Sequence, residues 1–162
     1  MSSSHKNLSD FSHMQVPSAE DYSFGIVVAE WNSEITGALL QGALSALKKY
    51  GAKESKIDVY PVPGSFELSS GAFILADSAK YDAIITLGCV IQGETRHFDF
   101  ICSAVAHGVT EVSIKTGIPV IFGVLTTDNF AQAQDRAGGK HGNKGEEAAV
   151  TAIKMAELKS NF

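Results

Sequence analysis

Hydrophobic residues along the chain follow two different spacings, which predict a short strand and then a helix. The run FGIVVAE, residues 24–30, is rich in β-branched residues, as in a buried strand. In the next segment, EITGALLQGALSALKKY, apolar side chains recur every three or four residues, at Ile35, Leu39, Ala43, Leu47 and Tyr50. This spacing places them on one face of a helix. Gly51 follows the lysines of the last turn and is expected to end the helix.

The same unit recurs along the chain and indicates an α/β fold. KIDVYPVP, YDAIITLGCVI and IPVIFGVLT predict strands, and SFELSSGAFILADSAK, HFDFICSAVAHGVTEVSIKTG and NFAQAQDRAG predict the helices that follow them. A last helix is predicted from an Asn143 N-cap, with Glu146 at the capping-box position, to about Leu158. Strands that alternate with helices form a parallel sheet covered on both faces. We therefore predict a three-layer α/β/α sandwich with a four-stranded, mainly parallel sheet.

Residues 1–15 differ in composition from the rest of the chain. They are polar, rich in Ser and His, and lack both the apolar core of a signal peptide and the Arg-rich pattern of a transit peptide. We predict a polar mobile tail over residues 1–15 and a single α/β domain over residues 16–162. A domain of this length needs neither a disulfide nor a metal to complete its core.

Charge and cysteine content narrow the classes of function. The formal net charge is −5 without a basic stripe, which argues against binding to nucleic acid or to an anionic membrane. No apolar run approaches the roughly 20 residues of a membrane span. Cys89 and Cys102 lie in apolar runs and suit core residues in a reducing compartment, so we expect a cytoplasmic protein. Charged residues make up only 19% of the chain, which hints at surface hidden in an oligomer.

The chemistry of the chain is expected in loops that follow the strands. In a parallel sheet, ligands bind outside the carboxyl ends of the strands, where loops lead into helix N-termini. These loops span residues 30–33, 61–67, 90–97 and 122–129. In the first loop, Trp31 is either an aromatic residue packed over the sheet end or a flat ring that stacks on a planar heterocycle. Asn32 and Ser33 are candidates for the helix cap.

The second and third loops carry hydrogen-bonding and titratable groups. In VPGSFELS, Glu67 either interacts favourably with the helix dipole or accepts hydrogen bonds from ligand hydroxyls. The backbone N–H groups of Ser65 and Phe66 could add donors. In GCVIQGETRHFDF, the turn before His97 offers a glycine and a helix N-terminus to a phosphate or carboxylate. His97 either caps the helix or, as a neutral imidazole, accepts a proton.

The segment QDRAGGKHGNKGEE contains the local basic cluster of this acidic chain. Its cationic and histidine side chains are Arg136, Lys140, His141 and Lys144. The segment is either a flexible link with solvated cations or an anion site in which Arg136 holds phosphate through a bidentate fork. It has no Walker-type pattern, so nucleotide hydrolysis is not indicated.

Together these stretches closely resemble the lumazine synthase family. The matching segments are VVAEWN, VPGSFELS, YDAIITLGCVIQGETRHFD, PVIFGVLTTDN and QDRAGGKHGNKGEEAA, in order from about Phe24 to Leu158. The resemblance implies the flavodoxin-like lumazine synthase fold and a transferase of riboflavin biosynthesis. The implied reaction condenses 5-amino-6-(D-ribitylamino)uracil with 3,4-dihydroxy-2-butanone 4-phosphate. It gives 6,7-dimethyl-8-ribityllumazine, phosphate and water, without a metal or an organic cofactor.

The resemblance also implies roles for residues of this chain. His97 matches the proton-transfer residue. The positions that match pyrimidine- and ribityl-binding residues are Trp31, Asn32, Ser65, Phe66, Glu67, Val90, Ile91, Phe122, Gly123 and Lys144. The phosphate-binding positions are Gly93, Glu94, Thr95 and Arg136, and the next subunit is expected to supply Arg136. Gln92 replaces an arginine of many members, and Trp31 replaces the commoner phenylalanine.

An assembly of identical chains is also implied by the resemblance. Members form homopentamers with sites between subunits, and some build a 60-subunit icosahedral shell. The segment RAGGKHGNKG has no insertion, and in this it is similar to the same segment of shell-forming members. The resemblance leaves open an N-terminal segment that adds a strand to a neighbouring subunit, and riboflavin synthase as a further partner. The alternatives to an enzyme are a module that binds flavin or lumazine without turnover and a shell with a structural role.

Overall fold

The computed structural model describes residues 7–162 and contains every strand and helix that the sequence predicts. The strands are β1 (Phe24–Ala29), β2 (Ile57–Val62), β3 (Ala83–Ile91), β4 (Val120–Thr127), β5 (Ala137–Gly139) and β6 (Gly142–Asn143). The helices are α1 (Ser33–Lys49), α2 (Leu68–Asp77), α3 (His97–Thr116), α4 (Phe130–Asp135) and α5 (Lys144–Ser160). Short 3₁₀ turns occupy Glu54–Lys56 and Ser65–Glu67.

The main sheet has the strand order β2-β1-β3-β4, and all of its neighbouring strands are parallel. Strand β1 lies at the centre, where Phe24 pairs with Ile57 of β2 on one side and with Ala83 of β3 on the other. The predicted four-stranded parallel sheet is therefore confirmed. Because all four strands run parallel, their carboxyl ends lie at the same edge of the sheet.

Each face of the sheet is covered by its own pair of helices. One buried cluster joins the sheet to α1 and α5 and includes Leu39, Ile85 and Ile153. The other joins the opposite face to α2 and α3 and includes Ile84 and Val105. Ile84 and Ile85 are adjacent on β3 and point to opposite faces, as the pleat requires. Each fully buried side chain of this size stabilises the fold by about 1.5–3 kcal/mol. Because helices cover both faces of the sheet, the predicted three-layer sandwich is confirmed.

Helix ends agree with the sequence in most places. Gly51 adopts a positive φ of 97° just after α1, as expected of the residue that ends a helix. Asn143 is the N-cap of α5, and its side-chain oxygen accepts from the N–H groups of Gly145 and Glu146. Asn32 occupies the N-cap position of α1, but its side chain makes no capping hydrogen bond. The prediction of Asn32 as a side-chain cap is therefore wrong.

Two other sequence predictions need correction. The segment predicted as a loop over residues 122–129 belongs to β4 as far as Thr127, so Phe122 and Gly123 lie inside a strand. Cys89 is buried in the core as predicted, but Cys102 is only half-buried on α3 and belongs to neither core cluster. Cys102 lies three residues before the buried Val105, at the border of the α3 face that packs on the sheet.

The glycine-rich segment after α4 has a defined structure. Strands β5 and β6 form a two-stranded antiparallel hairpin, in which Ala137 pairs with Asn143 and Gly139 with Gly142. Gly138 and Gly142 have φ values of 108° and 86°, a region that favours glycine. The alternative of a flexible link is therefore wrong, because the glycines build a hairpin.

The tail predicted over residues 1–15 is only partly described. Residues 1–6 lie outside the described residues, and residues 7–14 form turns and bends before the first strand. The mobility of residues 1–15 and the boundary at residue 16 stay predictions. Within residues 7–162, none of the helices has a stretch that is long and apolar enough to cross a membrane.

Candidate active site

A cleft of about 320 Å³ lies at the carboxyl ends of the strands, where the first three predicted loops converge. Its lining residues are Trp31, Asn32, Gly64, Ser65, Phe66, Cys89, Val90, Ile91, His97 and Ile101. Side chains far apart in sequence meet here because β1, β2 and β3 are neighbours that end at the same edge. The lining is mostly apolar with a few polar groups, which is the usual composition of a small-molecule site.

Trp31 presents a large ring at the cleft. Its side chain is 73% exposed, so the alternative of an aromatic residue packed over the sheet end is wrong. The backbone holds the residue in place, because Trp31 N–H donates to the carbonyl of Pro63 over 3.1 Å. An exposed ring fixed at the mouth of an apolar cleft can stack on a planar heterocycle.

Asn32 links the loop of residues 30–33 to strand β3 at the cleft. Its Nδ2 donates to the carbonyl oxygen of Cys89 over 2.9 Å, which ties the start of α1 to the end of β3. Its backbone is left-handed, with φ 59° and ψ 45°, a conformation that costs a non-glycine residue about 1–2 kcal/mol. Strain of this kind is concentrated at functional sites, where the surrounding structure holds it.

Ser65 brings a hydroxyl to the cleft wall that has no partner among residues 7–162. The residue is 7% exposed, and its Oγ is buried without a hydrogen bond to the protein. It packs over Gly88 so closely that a Cβ there would lie 2.7 Å from Ser65 Oγ. A buried hydroxyl without a partner costs about 1–3 kcal/mol, so a ligand that bonds to it gains that difference. Glu67 ends the same 3₁₀ turn, half-buried, and is not part of the lining.

Three lining residues were not among the predicted site residues. Gly64 begins the 3₁₀ turn, and Ile101 lies one helical turn after His97 on the same face of α3. That spacing of four residues was a signal that could have identified Ile101. Cys89 is 2% exposed, and burial raises the pKa of its thiol to about 11. The Cys89 thiol is therefore a neutral group in the cleft wall and not a nucleophile.

His97 is the first residue of α3, and its side chain is exposed at the cleft. Its backbone N–H donates to Thr95 Oγ1 over 3.4 Å, whereas the N-cap residue of α3, Arg96, makes no capping hydrogen bond with its side chain. Gly93, Glu94 and Thr95 form this turn, and all of them are exposed beside the cleft without lining it. The imidazole is free to meet a ligand in the cleft.

Gln92 folds back on the same turn. Its Nε2 donates to the carbonyl of Gly93 over 2.9 Å, and its backbone N–H donates to the carbonyl of Thr127 on the next strand over 2.8 Å. The side chain therefore stabilises the turn and adds no positive charge. Glu94 is exposed, which leaves the backbone of the turn accessible to an anion.

Arg136 lies outside this cleft. It lines a separate cleft of about 490 Å³, and its side chain is 19% exposed. Its Nη1 lies 2.8 Å from Glu147 Oε1 and donates to the carbonyl of His141 over 2.7 Å. Lys144 Nζ lies 3.5 Å from the other oxygen of Glu147. Among residues 7–162 the hydrogen bond uses only Nη1, so other N–H donors of the guanidinium are left for a ligand.

The remaining predicted residues lie along the β4 edge of the sheet. Phe122, Lys144 and Glu147 line a third cleft of about 420 Å³. Gly123 faces α5, where a Cβ would lie 3.1 Å from that of Ala148. The structure thus divides the predicted residues into two sets, one at the cleft of Trp31 and His97 and one that includes Arg136 and Lys144. Within one chain, the two sets do not share a cleft.

Comparisons with known proteins identify the family. Residues 21–160 match the family model described as 6,7-dimethyl-8-ribityllumazine synthase. The chain belongs to the 6,7-dimethyl-8-ribityllumazine synthase family. It is 62% identical over 155 residues to the protein of that name from Cytophaga hutchinsonii, covering 96% of this chain and 97% of the relative. It is 52% identical over 162 residues to that from Phocaeicola vulgatus, covering 100% and 96%.

A further relative from Parabacteroides distasonis is 53% identical over 158 residues, covering 98% of this chain and 99% of the relative. The resemblance to the lumazine synthase family is therefore confirmed over nearly the whole chain. Within residues 7–162, no three His, Cys, Asp or Glu side chains come close enough together to hold a metal ion.

Proposed function

We propose that this chain is the lumazine synthase of riboflavin biosynthesis. It condenses 5-amino-6-(D-ribitylamino)uracil with 3,4-dihydroxy-2-butanone 4-phosphate and releases 6,7-dimethyl-8-ribityllumazine, phosphate and water. The observation that carries the proposal is one cleft that combines an exposed flat ring, an accessible imidazole and a buried hydroxyl that has no partner in the described part of the chain. Family membership supports the same reaction.

The pyrimidine substrate fits the chemistry of the cleft. Trp31 stacks on the planar ring, while Val90 and Ile91 provide apolar walls beside it. The ribityl chain carries several hydroxyls, and Ser65 and Glu67 offer oxygen atoms that can bond to them. Asn32 and Phe66 complete the binding surface on either side of these groups.

His97 transfers protons during the condensation. The primary amine of the pyrimidine condenses with the ketone to an imine and releases water. Phosphate leaves after a C–H proton is removed, and the ribitylamino nitrogen then closes the ring on the remaining carbonyl with loss of a second water. The imidazole stands at the cleft and can accept the proton, while stacking and hydrogen bonds hold the two ends together. Holding the reactants in place supplies much of the catalysis, and proton transfer adds the rest.

Phosphate is bound by groups from two subunits. The turn of Gly93, Glu94 and Thr95 provides backbone N–H groups at the start of α3, beside the cleft. Arg136 of a neighbouring subunit supplies the positive charge, and Lys144 comes with it. This division accounts for the separation of Arg136 from the cleft within one chain. Phe122 and Gly123 reach the same site across the subunit boundary.

Exposed apolar side chains support an assembly of identical chains. On α2 and α3, Phe73, Ile74 and Ile114 are 50%, 67% and 77% exposed. Side chains of this size on one side of a protein usually belong to an interface. We infer a homopentamer, and the uninterrupted hairpin favours a 60-subunit icosahedral shell. The same proposal includes an N-terminal segment that adds a strand to a neighbouring subunit, a cytoplasmic location, and riboflavin synthase as a partner.

The decisive experiment mixes the purified protein with both substrates and follows lumazine absorbance and phosphate release together. Equal amounts of lumazine and phosphate are expected. Ring binding that quenches Trp31 fluorescence without phosphate release would instead favour a binding module. Sedimentation velocity at the same protein concentration measures the size of the assembly, and an active monomer would contradict a site shared between subunits.

A further inference from the structure

The cap of helix α5 is completed by a residue from the other end of the chain. In a capping box, the third helical residue accepts a hydrogen bond from the N–H of the N-cap residue. Here the N–H of Asn143 donates instead to Ser9 Oγ over 2.7 Å. Ser9 Oγ in turn donates to the carbonyl of Asn143 over 3.1 Å. Ser9 therefore takes the place that Glu146 was predicted to fill.

A second contact joins the same segment to the His141 carbonyl, which also accepts a hydrogen bond from Arg136. The N–H of Leu8 donates to the carbonyl of His141 over 3.2 Å. That carbonyl also accepts the hydrogen bond from Arg136 Nη1, over 2.7 Å. The position of the His141 carbonyl thus depends on the N-terminal segment, and the guanidinium depends on that carbonyl.

The segment and the hairpin lie very close together. A Cβ at Gly142 would lie 2.5 Å from Ser9 Oγ and 3.0 Å from Ser9 Cβ, so only glycine leaves room for the segment. We call residues 7–9 the clasp. It contacts the hairpin at His141, Gly142 and Asn143, between Arg136 and the first turn of α5.

The His141 carbonyl and the Glu147 carboxylate contact the Arg136 guanidinium, and both depend on this part of the fold. Glu147 and Lys144 project from the first turn of α5, whose N-cap is Asn143. Asn143 is also tied to α1, since its Nδ2 donates to the carbonyl of Ala38 over 3.0 Å. The clasp closes the remaining side of this residue. A shift of the hairpin would move the His141 carbonyl and the carboxylate of Glu147 away from the guanidinium.

We propose that Ser9 is a positioning residue for phosphate binding, because it fixes the hairpin and cap that orient Arg136. Ser9 touches no reacting group and acts only through Asn143 and, with Leu8, through His141. This inference rests on the proposed role of Arg136 as the phosphate ligand. It assigns to the N-terminal segment a part in binding the four-carbon phosphate substrate.

The test is a double-mutant cycle with Ser9→Ala, Arg136→Ala and the double variant, in the full-length chain. The measurements are the KM of each substrate, kcat, and the dissociation constant of inorganic phosphate. Ser9→Ala should raise the KM of the phosphate substrate and the phosphate dissociation constant about 3–10-fold, the usual effect of losing a hydrogen bond or two. The KM of the pyrimidine substrate should stay within about twofold, because the cleft of Trp31 does not contact the clasp.

Ser12→Ala is the matched control, since it removes a hydroxyl from the same segment at a residue whose N–H donates to nearby Asp10 Oδ1. It should leave all of these constants unchanged. In the Arg136→Ala background, Ser9→Ala should have no further effect on phosphate binding. Thermal melting of each variant shows whether the fold is retained, and Ser9→Gly repeats the test if Ser9→Ala melts early.

Three outcomes would overturn the inference, and they are distinguishable. Unchanged phosphate binding in Ser9→Ala, with weakened binding in Arg136→Ala, removes the role of Ser9 and leaves that of Arg136. An equal loss from Ser9→Ala in both backgrounds shows that Ser9 does not act through Arg136. Unchanged phosphate binding in Arg136→Ala removes the phosphate role of Arg136 itself, and the role of Ser9 with it.

Discussion

Asn32 donates a hydrogen bond from its Nδ2 to the carbonyl oxygen of Cys89, 2.9 Å away, while its own backbone is left-handed. This bond joins the loop that carries Trp31 to the end of β3. It also leaves the N-cap position of α1 without a side-chain cap. The residue thus stabilises the cleft instead of the helix.

Substitutions of Asn32 should separate the hydrogen bond from the backbone strain. Asn32→Gly loses the bond but tolerates a positive φ, so the free energy of unfolding should fall by about 1 kcal/mol. Asn32→Ala loses the same bond and keeps a Cβ in the left-handed region, so the fall should be about 1–2 kcal/mol larger than in Asn32→Gly. Urea unfolding at one fixed chain concentration measures both. Equal losses would contradict the role of the backbone conformation.

His97→Ala should lower kcat about 10–100-fold without abolishing turnover, because proton transfer is only part of the catalysis. Initial rates of lumazine formation measure the effect. His107→Ala is the control, since His107 lies exposed on the same helix, away from the cleft, with its Nδ1 bonded to Ser103. It should retain full activity. An unchanged rate in His97→Ala would remove its role in proton transfer.

Trp31→Ala should weaken binding of the lumazine product about 3–10-fold, as expected for the loss of one aromatic stacking contact. Trp31→Phe should lose less, because a smaller ring remains. Stability should change by less than about 0.5 kcal/mol, since the side chain is 73% exposed. Equilibrium titration followed by product absorbance measures the affinity, and full affinity in Trp31→Ala would contradict stacking.

Gly145→Ala should destabilise the fold by about 3 kcal/mol or more, because its Cβ would overlap the backbone carbonyl of Leu39 on α1. The helix would have to move, and Lys144 and Glu147 would move with it. Gly37→Ala is the contrasting variant, since a Cβ there meets no atom of residues 7–162 within 4 Å. It should raise stability by about 0.5–1 kcal/mol. Thermal melting distinguishes the two, and a Gly145→Ala protein that melts normally would contradict this packing.

Cys89 should be nearly inert to alkylation at pH 8. Its pKa of about 11, raised by burial, leaves about 0.1% thiolate at that pH, so labelling should be about 100-fold or more slower than for free cysteine. The rate should rise about tenfold per pH unit up to pH 10. A Cys102→Ser variant makes Cys89 the only thiol and allows mass spectrometry to follow it. Rapid labelling at pH 8 would show that the cleft wall opens.

The sequence predicted the strands, the helices and the cleft because these depend on local spacing and on one general rule of parallel sheets. Ile35 and Leu39 show a helix face directly, and Trp31 and His97 both follow strands that end at the same edge. The Asn143 cap was recognisable for the same local reason.

The features that were missed depend on contacts between distant residues. Asn32 looked like a cap, but its side chain bonds to Cys89, which is 57 residues away. Ser9 contacts Asn143 across 134 residues, and nothing in a polar segment indicates such a partner. The hairpin was missed because glycines at positive φ carry no hydrophobic pattern, although they fix its turn.

The position of α5 has a consequence for synthesis on the ribosome. Its buried side chains, including Ala149 and Ile153, cover the sheet face that also contacts α1. The opposite face can be covered as soon as β4 has emerged, because α2 and α3 both precede β4. The β3 and β4 part of the α1 face must wait for residues 144–160, so a nascent chain displays Ile85 and Leu125 to chaperones until α5 arrives.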